Sequence, residues 1–383
     1  RSSSWDIVEM YSGDMVKIAD ALGLVLVMPS GSGINWGSHL LNYLRDLNAT
    51  IREELPVDPD KIGLSGHSMG AMGITRSSQW LTDEYAFFMP VAGGMDPKYA
   101  IEKYLVTNFN TNYHHLQGLN DHFQVFVERC RHQEAEMAEL EKKYNKDSGL
   151  VMEYYNGSHN YPMPLFQTRL DEAFSNNSRD LFQKELYGVF YHQDEVVTDQ
   201  WSNGNPYYKG PRDSYFWVKV DKFSGVDAKA RPQKKISSTE QAQEQAEEQT
   251  EEQTEVTAQE EKPGFFRRLA LKLGIAKSKG AVVSESTSTK SKVAKTSSKA
   301  SSPVIKLEAK IDSSKNEVVV KIDEGADSIK ILLSEKNLDL SSPVKVIVNG
   351  AEKYNAVPAQ NFQASQMGEN SGYNFQSALT IEL

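Results

Sequence analysis

The sequence predicts an α/β chain: a mostly parallel sheet covered by helices, then a small all-β unit, with a long unstructured insert between them. Three observations carry that reading. From Arg1 to Arg212 short apolar runs alternate with helical stretches, the spacing of parallel strands and their crossover helices. Beyond Pro303 the apolar residues recur at every second position, the period of half-buried strands. Between the two lies a polar tract with too little apolar surface to offset chain entropy.

In chain order, a helical stretch through Met15-Val16-Lys17-Ile18-Ala19 leads to Gly23-Leu24-Val25-Leu26-Val27, read as a strand ending near Pro29. The turn Asp58-Pro59-Asp60 starts a second strand over 61–65, and 71–76 continues as a helix whose small residues face the sheet. Further strands are expected at 87–92, 113–116 and 150–155, and another at 215–220. After Pro303, alternation marks strands at 305–311, 317–322, 329–333 and 344–348, with Asn349-Gly350 as a hairpin turn. The expected organisation is an α/β part over 1–212, a joining strand over 213–224, a disordered linker over 225–302 and a β domain over 303–383. The joining strand, 215–223, is expected to pair with strands after Pro303.

Composition bounds the function. At 383 residues the chain exceeds one comfortable core and calls for two folded units. A net charge of −10 argues against nonspecific nucleic-acid binding. One cysteine, Cys130, excludes an internal disulfide; it reads as a packing thiol in a helix and has no metal-site spacing around it. The apolar runs are too short to span a bilayer, so no transmembrane segment is expected. The compartment is left open, secreted and periplasmic locations included, because the residues of a leader would precede Arg1.

The sharpest motif is Gly66-His67-Ser68-Met69-Gly70, directly behind the 61–65 strand. It matches the G-x-S-x-G nucleophile elbow, in which a strained strand-to-helix turn lifts a serine hydroxyl above the sheet and glycines on either side let strand and helix pack closely. The elbow nominates Ser68 as nucleophile and the backbone amide of Met69 as an oxyanion donor. A glycine-rich turn with an incidental serine is the plainer alternative, and the strand and helix on either side weigh against it.

A serine needs a base, and the base needs an orienting acid. The strand at 113–116 runs into Gln117-Gly118-Leu119-Asn120-Asp121-His122, and the strand at 150–155 into Asn156-Gly157-Ser158-His159-Asn160. Both place a Gly turn and a catalytic residue type at a carboxyl strand end, where sites in open α/β sheets collect. The expected triad is Ser68, His159 and Asp121, in the order nucleophile, acid, base along the chain. Asp96, after the strand at 87–92, is the runner-up acid. His114, His115 and His122 read as packing or loop histidines, and His67, at the variable elbow position, as a residue that shapes the site.

With these residues in view, the chain resembles the esterase branch of the α/β-hydrolases, which includes esterase D-like, polyhydroxybutyrate depolymerase-like and feruloyl esterase-like proteins. The matching stretches are 15–29, 58–70, 118–122 and 157–162, over about the first 220 residues and more weakly at the C-terminal end. The resemblance implies a three-layer α/β-hydrolase, a two-step acyl transfer through an acyl-serine, a small-molecule or polymer ester as substrate, and no cofactor. The alternatives are a prolyl oligopeptidase-like peptidase and a non-catalytic binding protein on the same frame. The resemblance also implies a strand ending in a His-Gly motif, which gives the second oxyanion amide, ahead of the first helix. No such strand follows Arg1, so the expectation is a fragment of a longer protein, with 1–5 as the remnant of the oxyanion loop, or a cleaved segment that stays associated. The β domain resembles the sandwich-like tail of some relatives in this branch.

The loop Ser30-Gly31-Ser32-Gly33-Ile34-Asn35-Trp36-Gly37 is expected to border the pocket, with Trp36 on the substrate or anchoring the loop, and 203–212 is a second candidate rim. Within the linker, acidic to 261 and basic from 262, the stretch 265–275 opens with Phe265-Phe266-Arg267-Arg268 and closes on Gly274-Ile275. This basic amphipathic segment is a candidate for weak membrane or protein contact.

Overall fold

Strand and helix alternation becomes a four-stranded parallel sheet in the computed structural model, which describes residues 4–29, 41–97, 99–190, 213–224, 304–360 and 375–383. The helices are α1 (Ser4–Leu22), α2 (Leu41–Glu54), α3 (Met69–Trp80), α4 (Glu102–Leu105), α5 (Gln124–Tyr144) and α6 (Met163–Asn176), and a 3-10 turn spans Val106–Asn110. The parallel sheet runs β1 (Gly63–His67), β2 (Phe87–Val91), β3 (Tyr113–Gly118) and β4 (Leu150–Tyr155), in that spatial order. Residues Val8–Val226 and Ser301–Leu383 form one compact unit; of the other unit, Arg1–Ile7 with Asp227–Ala300, the described part is 4–7 of α1.

Both faces of the parallel sheet are covered, so β2 is buried at every position, as an unbroken apolar run requires. Alternate residues serve opposite layers. Phe87, Met89 and Val91 pack with Ile18 of α1 and with Phe166 and Ala173 of α6. Phe88 packs with Leu44 of α2 and Ile74 of α3. Helix α5 lies with α3, its Phe126 and Cys130 backbone atoms against Gly94 of the loop after β2. The expected three-layer α/β architecture is therefore present.

The run 24–29 departs from expectation. Helix α1 ends at Gly23 in a left-handed conformation (φ 65°), the usual helix stop, but the following residues join no ladder, and Val25 and Leu26 are 54 and 42 % exposed. A strand exists only through its partners. Among the described residues β1 is an edge of the sheet, and no neighbour is present to recruit this apolar run.

After α6 the chain changes sheets. β5 (Glu185–Phe190) pairs antiparallel with β8 (Ile305–Asp312), giving the order β12 (Ala351–Ala356), β11 (Val344–Val348), β9 (Glu317–Ile322), β8, β5. A second sheet runs β13 (Ser377–Glu382), β10 (Ala326–Leu333), β7 (Val218–Phe223), β6 (Ser214–Tyr215). The expected pairing of the joining strand is observed, with Val218, Lys219 and Val220 of β7 against Ile331, Lys330 and Ile329 of β10. Inward residues of both sheets, among them Leu186, Trp217, Val320, Ile331 and Val346, share one apolar core, a sandwich of the expected kind. The β11–β12 turn has Asn349 and Gly350 at φ 50° and 83°, the geometry that Asn-Gly favours in a tight hairpin. Among the described residues no helix is long and apolar enough to cross a membrane.

Candidate active site

Ser68 sits between the end of β1 and the start of α3 with φ 57° and ψ −113°, a combination that costs a non-glycine residue strain and that persists only where the surroundings impose it. Two backbone hydrogen bonds impose it here: Ser68 N donates to Val91 O at 3.0 Å, and Met72 N donates to Ser68 O at 3.1 Å. Gly66 has the tight packing expected of the elbow, since a Cβ there would stand 2.8 Å from Ile74 Cδ1 and 3.0 Å from the Gly70 carbonyl carbon. Gly70 does not; a Cβ there meets nothing within 4 Å. The steric demand thus falls on the strand side of the elbow, because Gly66 lies under the helix while Gly70 faces open space. An unforeseen demand falls on Gly93 after β2, where a Cβ would be 2.3 Å from Ser68 O.

The ladder continues past the strand ends and straps the loops together. Ala92 N donates to Leu116 O, Leu119 N to Tyr155 O and Asn120 N to Gly157 O, each at 2.9 Å. Residues 68, 121 and 159, far apart in sequence, therefore meet above the same sheet end. His159 Nε2 is 2.8 Å from Ser68 Oγ, and His159 Nδ1 is 2.8 Å from Asp121 Oδ2. Asp121 Oδ1 accepts from Phe123 N at 2.8 Å, and Oδ2 also accepts from Gln117 Nε2 at 3.1 Å. Burial works to raise the Asp121 pKa, but the bonds from His159, Phe123 N and Gln117 outweigh it and hold the carboxyl below its ordinary value.

The imidazole of His159 is walled by rings: Phe126 stacks at 5.7 Å, Phe123 stands edge-on at 5.0 Å, and His67 and His122 lie at 4.8 and 5.2 Å. Its side chain and that of Asp121 are 3 and 0 % exposed. Burial, and then the neighbouring His159, depress the His67 pKa to about 4, with Asp121 opposing, so this imidazole is neutral at pH 7. Its ring also packs on Tyr161 at 5.1 Å.

Met69, the first residue of α3, presents one of the helix-terminal amides that lack an intrahelical acceptor. Asp96 lies in the loop after β2, where its carbonyl accepts from Tyr99 N at 2.8 Å; the Nδ1 of His159 is engaged by Asp121 instead. His114 bonds Glu153 at 2.8 Å, and His115 is fully buried in β3. Trp36, the rim 203–212, the linker 225–302 and the amphipathic stretch 265–275 lie outside the described residues. A cavity of about 460 Å³ lined by Asp60, Arg179, Phe182 and Lys336 belongs to the opposite, amino end of β1. Among the described residues no group of three or more His, Cys, Asp and Glu side chains is arranged to hold a metal ion.

No protein-family model matches the sequence. No curated protein matches it significantly. Among solved structures, the chain is similar to the S-formylglutathione hydrolase FrmB from Staphylococcus aureus, at 13% identity and a TM-score of 0.32 over 43% of this chain and 74% of that one. It is similar to the fluorophosphonate-binding serine hydrolase FphF from Staphylococcus aureus, at 12% identity and a TM-score of 0.34 over 45% of this chain and 78% of that one. It is also similar to an S-formylglutathione hydrolase from Agrobacterium tumefaciens, at 16% identity and a TM-score of 0.29 over 44% of this chain and 78% of that one.

Proposed function

We propose that this chain is a serine hydrolase that cleaves carboxylic esters through an acyl-serine intermediate on Ser68. The observation that carries the reading is the unbroken hydrogen-bonded line from Ser68 Oγ through both nitrogens of His159 to Asp121, with 2.8 Å at each step. In the first half-reaction His159 Nε2 takes the Ser68 proton as Oγ attacks the ester carbonyl. The carbonyl oxygen becomes an oxyanion that the Met69 amide stabilises. Collapse of this tetrahedral species expels the alcohol, which leaves with the proton held on His159. In the second half-reaction a water gives its proton to His159 and attacks the acyl carbon; the acid departs and Ser68 regains its proton. Asp121 keeps Nδ1 protonated, so that Nε2 faces Ser68 with a lone pair, and stabilises the imidazolium formed in each half.

Strain at Ser68 favours the same reading, because an imposed unfavourable φ and ψ at a residue that merely turned the chain would cost stability for no return. The substrate is a small-molecule or polymer ester, and the reaction requires no cofactor.

The test is labelling by a fluorophosphonate probe, with hydrolysis of 4-nitrophenyl acetate and of a peptide 4-nitroanilide alongside. Wild type is expected to label and to hydrolyse the ester, and Ser68→Ala to lose the labelling and on the order of a million-fold in turnover. Preference for the anilide would make the protein a peptidase. A folded protein that neither labels nor hydrolyses would be a binding protein on a hydrolase frame.

A further inference from the structure

Behind Asp121 the structure holds a line of buried polar side chains that the acyl-transfer steps do not use. Gln117, 1 % exposed at the end of β3, donates from Nε2 to Asp121 Oδ2 at 3.1 Å and to Gly118 O at 3.2 Å. Its other amide atom, Oε1, accepts from Cys130 Sγ of α5 at 3.7 Å. Cys130 Sγ in turn lies 3.5 Å from His115 Nε2, and His115 Nδ1 lies 3.3 Å from Tyr113 Oη. Burial, and then the neighbouring His114, hold the His115 pKa down at about 3, and burial raises the Cys130 thiol well above its ordinary value. Both are neutral at pH 7. With these groups neutral, the arrangement of protons that runs through to the carboxylate takes the Nε2–H tautomer of His115. Tyr113 donates to Nδ1 of His115, Nε2–H of His115 to Cys130, the thiol to Gln117 Oε1, and the Gln117 amide to Asp121.

We propose that Gln117 is the positioning residue for Asp121, and that Cys130 and His115 fix the orientation of its amide. This rests on the hydrolase reading above. Asp121 Oδ2 receives His159 and Gln117 together, so the side-chain carboxylate cannot rotate off the imidazole without losing a buried donor. An amide flipped end for end would turn Oε1 toward the carboxylate and NH2 toward Cys130; the thiol donor penalises that flip. Aligned donors also polarise one another, strengthening the last bond to the anion. Cys130 and His115 thereby gain a use beyond packing.

The ionisable groups around Asp121 and Gln117 are His67 of β1, Tyr113 and His115 of β3, Cys130 of α5, Tyr155 of β4 and His159, with Arg129 and Glu134 bearing on Cys130. The test compares wild type with Gln117→Met, Gln117→Glu and Cys130→Ala, by 4-nitrophenyl acetate kinetics across pH, by melting temperature and by the His159 Nδ1–H proton resonance. Gln117→Met keeps the volume and removes the donor; a drop of roughly tenfold to a hundredfold in kcat with KM within twofold is expected. In Gln117→Glu the introduced carboxyl holds a proton at low pH and donates as the amide did. When it ionises two buried carboxylates face each other, and kcat falls selectively at higher pH. Cys130→Ala is expected to lose a few-fold, the thiol being a weak donor.

A kcat within twofold of wild type for both Gln117 variants, with an unmoved pH profile, overturns the proposal. So does an equal loss at every pH that follows the melting temperature, the mark of packing alone. If wild type itself proves inactive, the hydrolase reading falls and the Nδ1–H resonance decides the positioning by itself: shifted or broadened in Gln117→Met, it supports the role, and identical to wild type, it overturns it.

Discussion

At the carboxyl end of the parallel sheet the protein buries Asp121, His115, Gln117 and the His159 side chain, while the core between the two sheets of the sandwich is made of side chains such as Trp217, Val320, Ile331 and Phe375. The first set is costly to desolvate unless every group finds a partner, and the partners come from the loops strapped together past the strand ends, from β3 itself and from Cys130 of α5. The second set gains stability from burial as such. One region therefore holds chemistry in place at the expense of stability, and the other supplies stability without chemistry.

The comparison breaks if the two regions respond alike to truncation. Asp121→Asn leaves the volume of the site intact but turns His159 toward the wrong tautomer; a loss of about 10⁴-fold in kcat is expected. Ile331, fully buried in β10, is expected on change to Ala to cost about 2–5 kcal/mol and to leave kcat per folded molecule within twofold. Urea unfolding and active-site titration of both variants check the crossing. A larger stability loss in Asp121→Asn than in Ile331→Ala would erase the distinction.

A smaller contrast lies within the elbow. Gly66→Ala drives a Cβ into Ile74 and the Gly70 backbone, and is expected to cost about 1–3 kcal/mol by overpacking and to slow fluorophosphonate labelling as Ser68 shifts. Gly70→Ala enters open space in the first turn of α3 and is expected to be neutral or to stabilise by up to about 1 kcal/mol through helix propensity. Thermal melts of the pair, read beside their labelling rates, separate a steric glycine from a merely permitted one.

Much of this was legible in the sequence because it is local. Alternation along 305–311 sets which residues of β8 face inward, Asn349-Gly350 sets its own turn, and the elbow motif carries its own strand and helix. Asp121 and His159 were legible because Gly turns follow apolar runs at both places. What escaped depends on layers meeting. Cys130 reads as a packing thiol until α5 is laid over β3 and its sulfur meets His115 and Gln117. Gly93 reads as a loop glycine until Ser68 O stands against it. The run 24–29 has the apolar content of a strand, but content does not supply a hydrogen-bonding neighbour, and the structure leaves it outside the sheet.

The pH dependence of stability sharpens the comparison most finely. His67 has a folded pKa of about 4 against an ordinary 6.5, because burial and then His159 disfavour its charge. As pH falls below 6.5 the unfolded chain takes up the proton first, so each step down favours unfolding until the folded imidazole also protonates near pH 4. His115, depressed to about 3 by burial and then by His114, adds a loss of the same sign that extends lower. The stability these histidines leave intact is thus complete above about pH 7 and is eroded from there to about pH 4 by His67 and to about pH 3 by His115. Among the described residues the two sheets of the sandwich carry no histidine, so no imidazole there adds to the loss in that window. Urea midpoints at pH 7 and pH 5 are therefore expected to fall for wild type and to fall less for His67→Gln. Equal falls in the two proteins would mean that the imidazole beside the candidate triad is hydrated and charged, and that this end of the sheet is not the dry polar region contrasted with the sandwich.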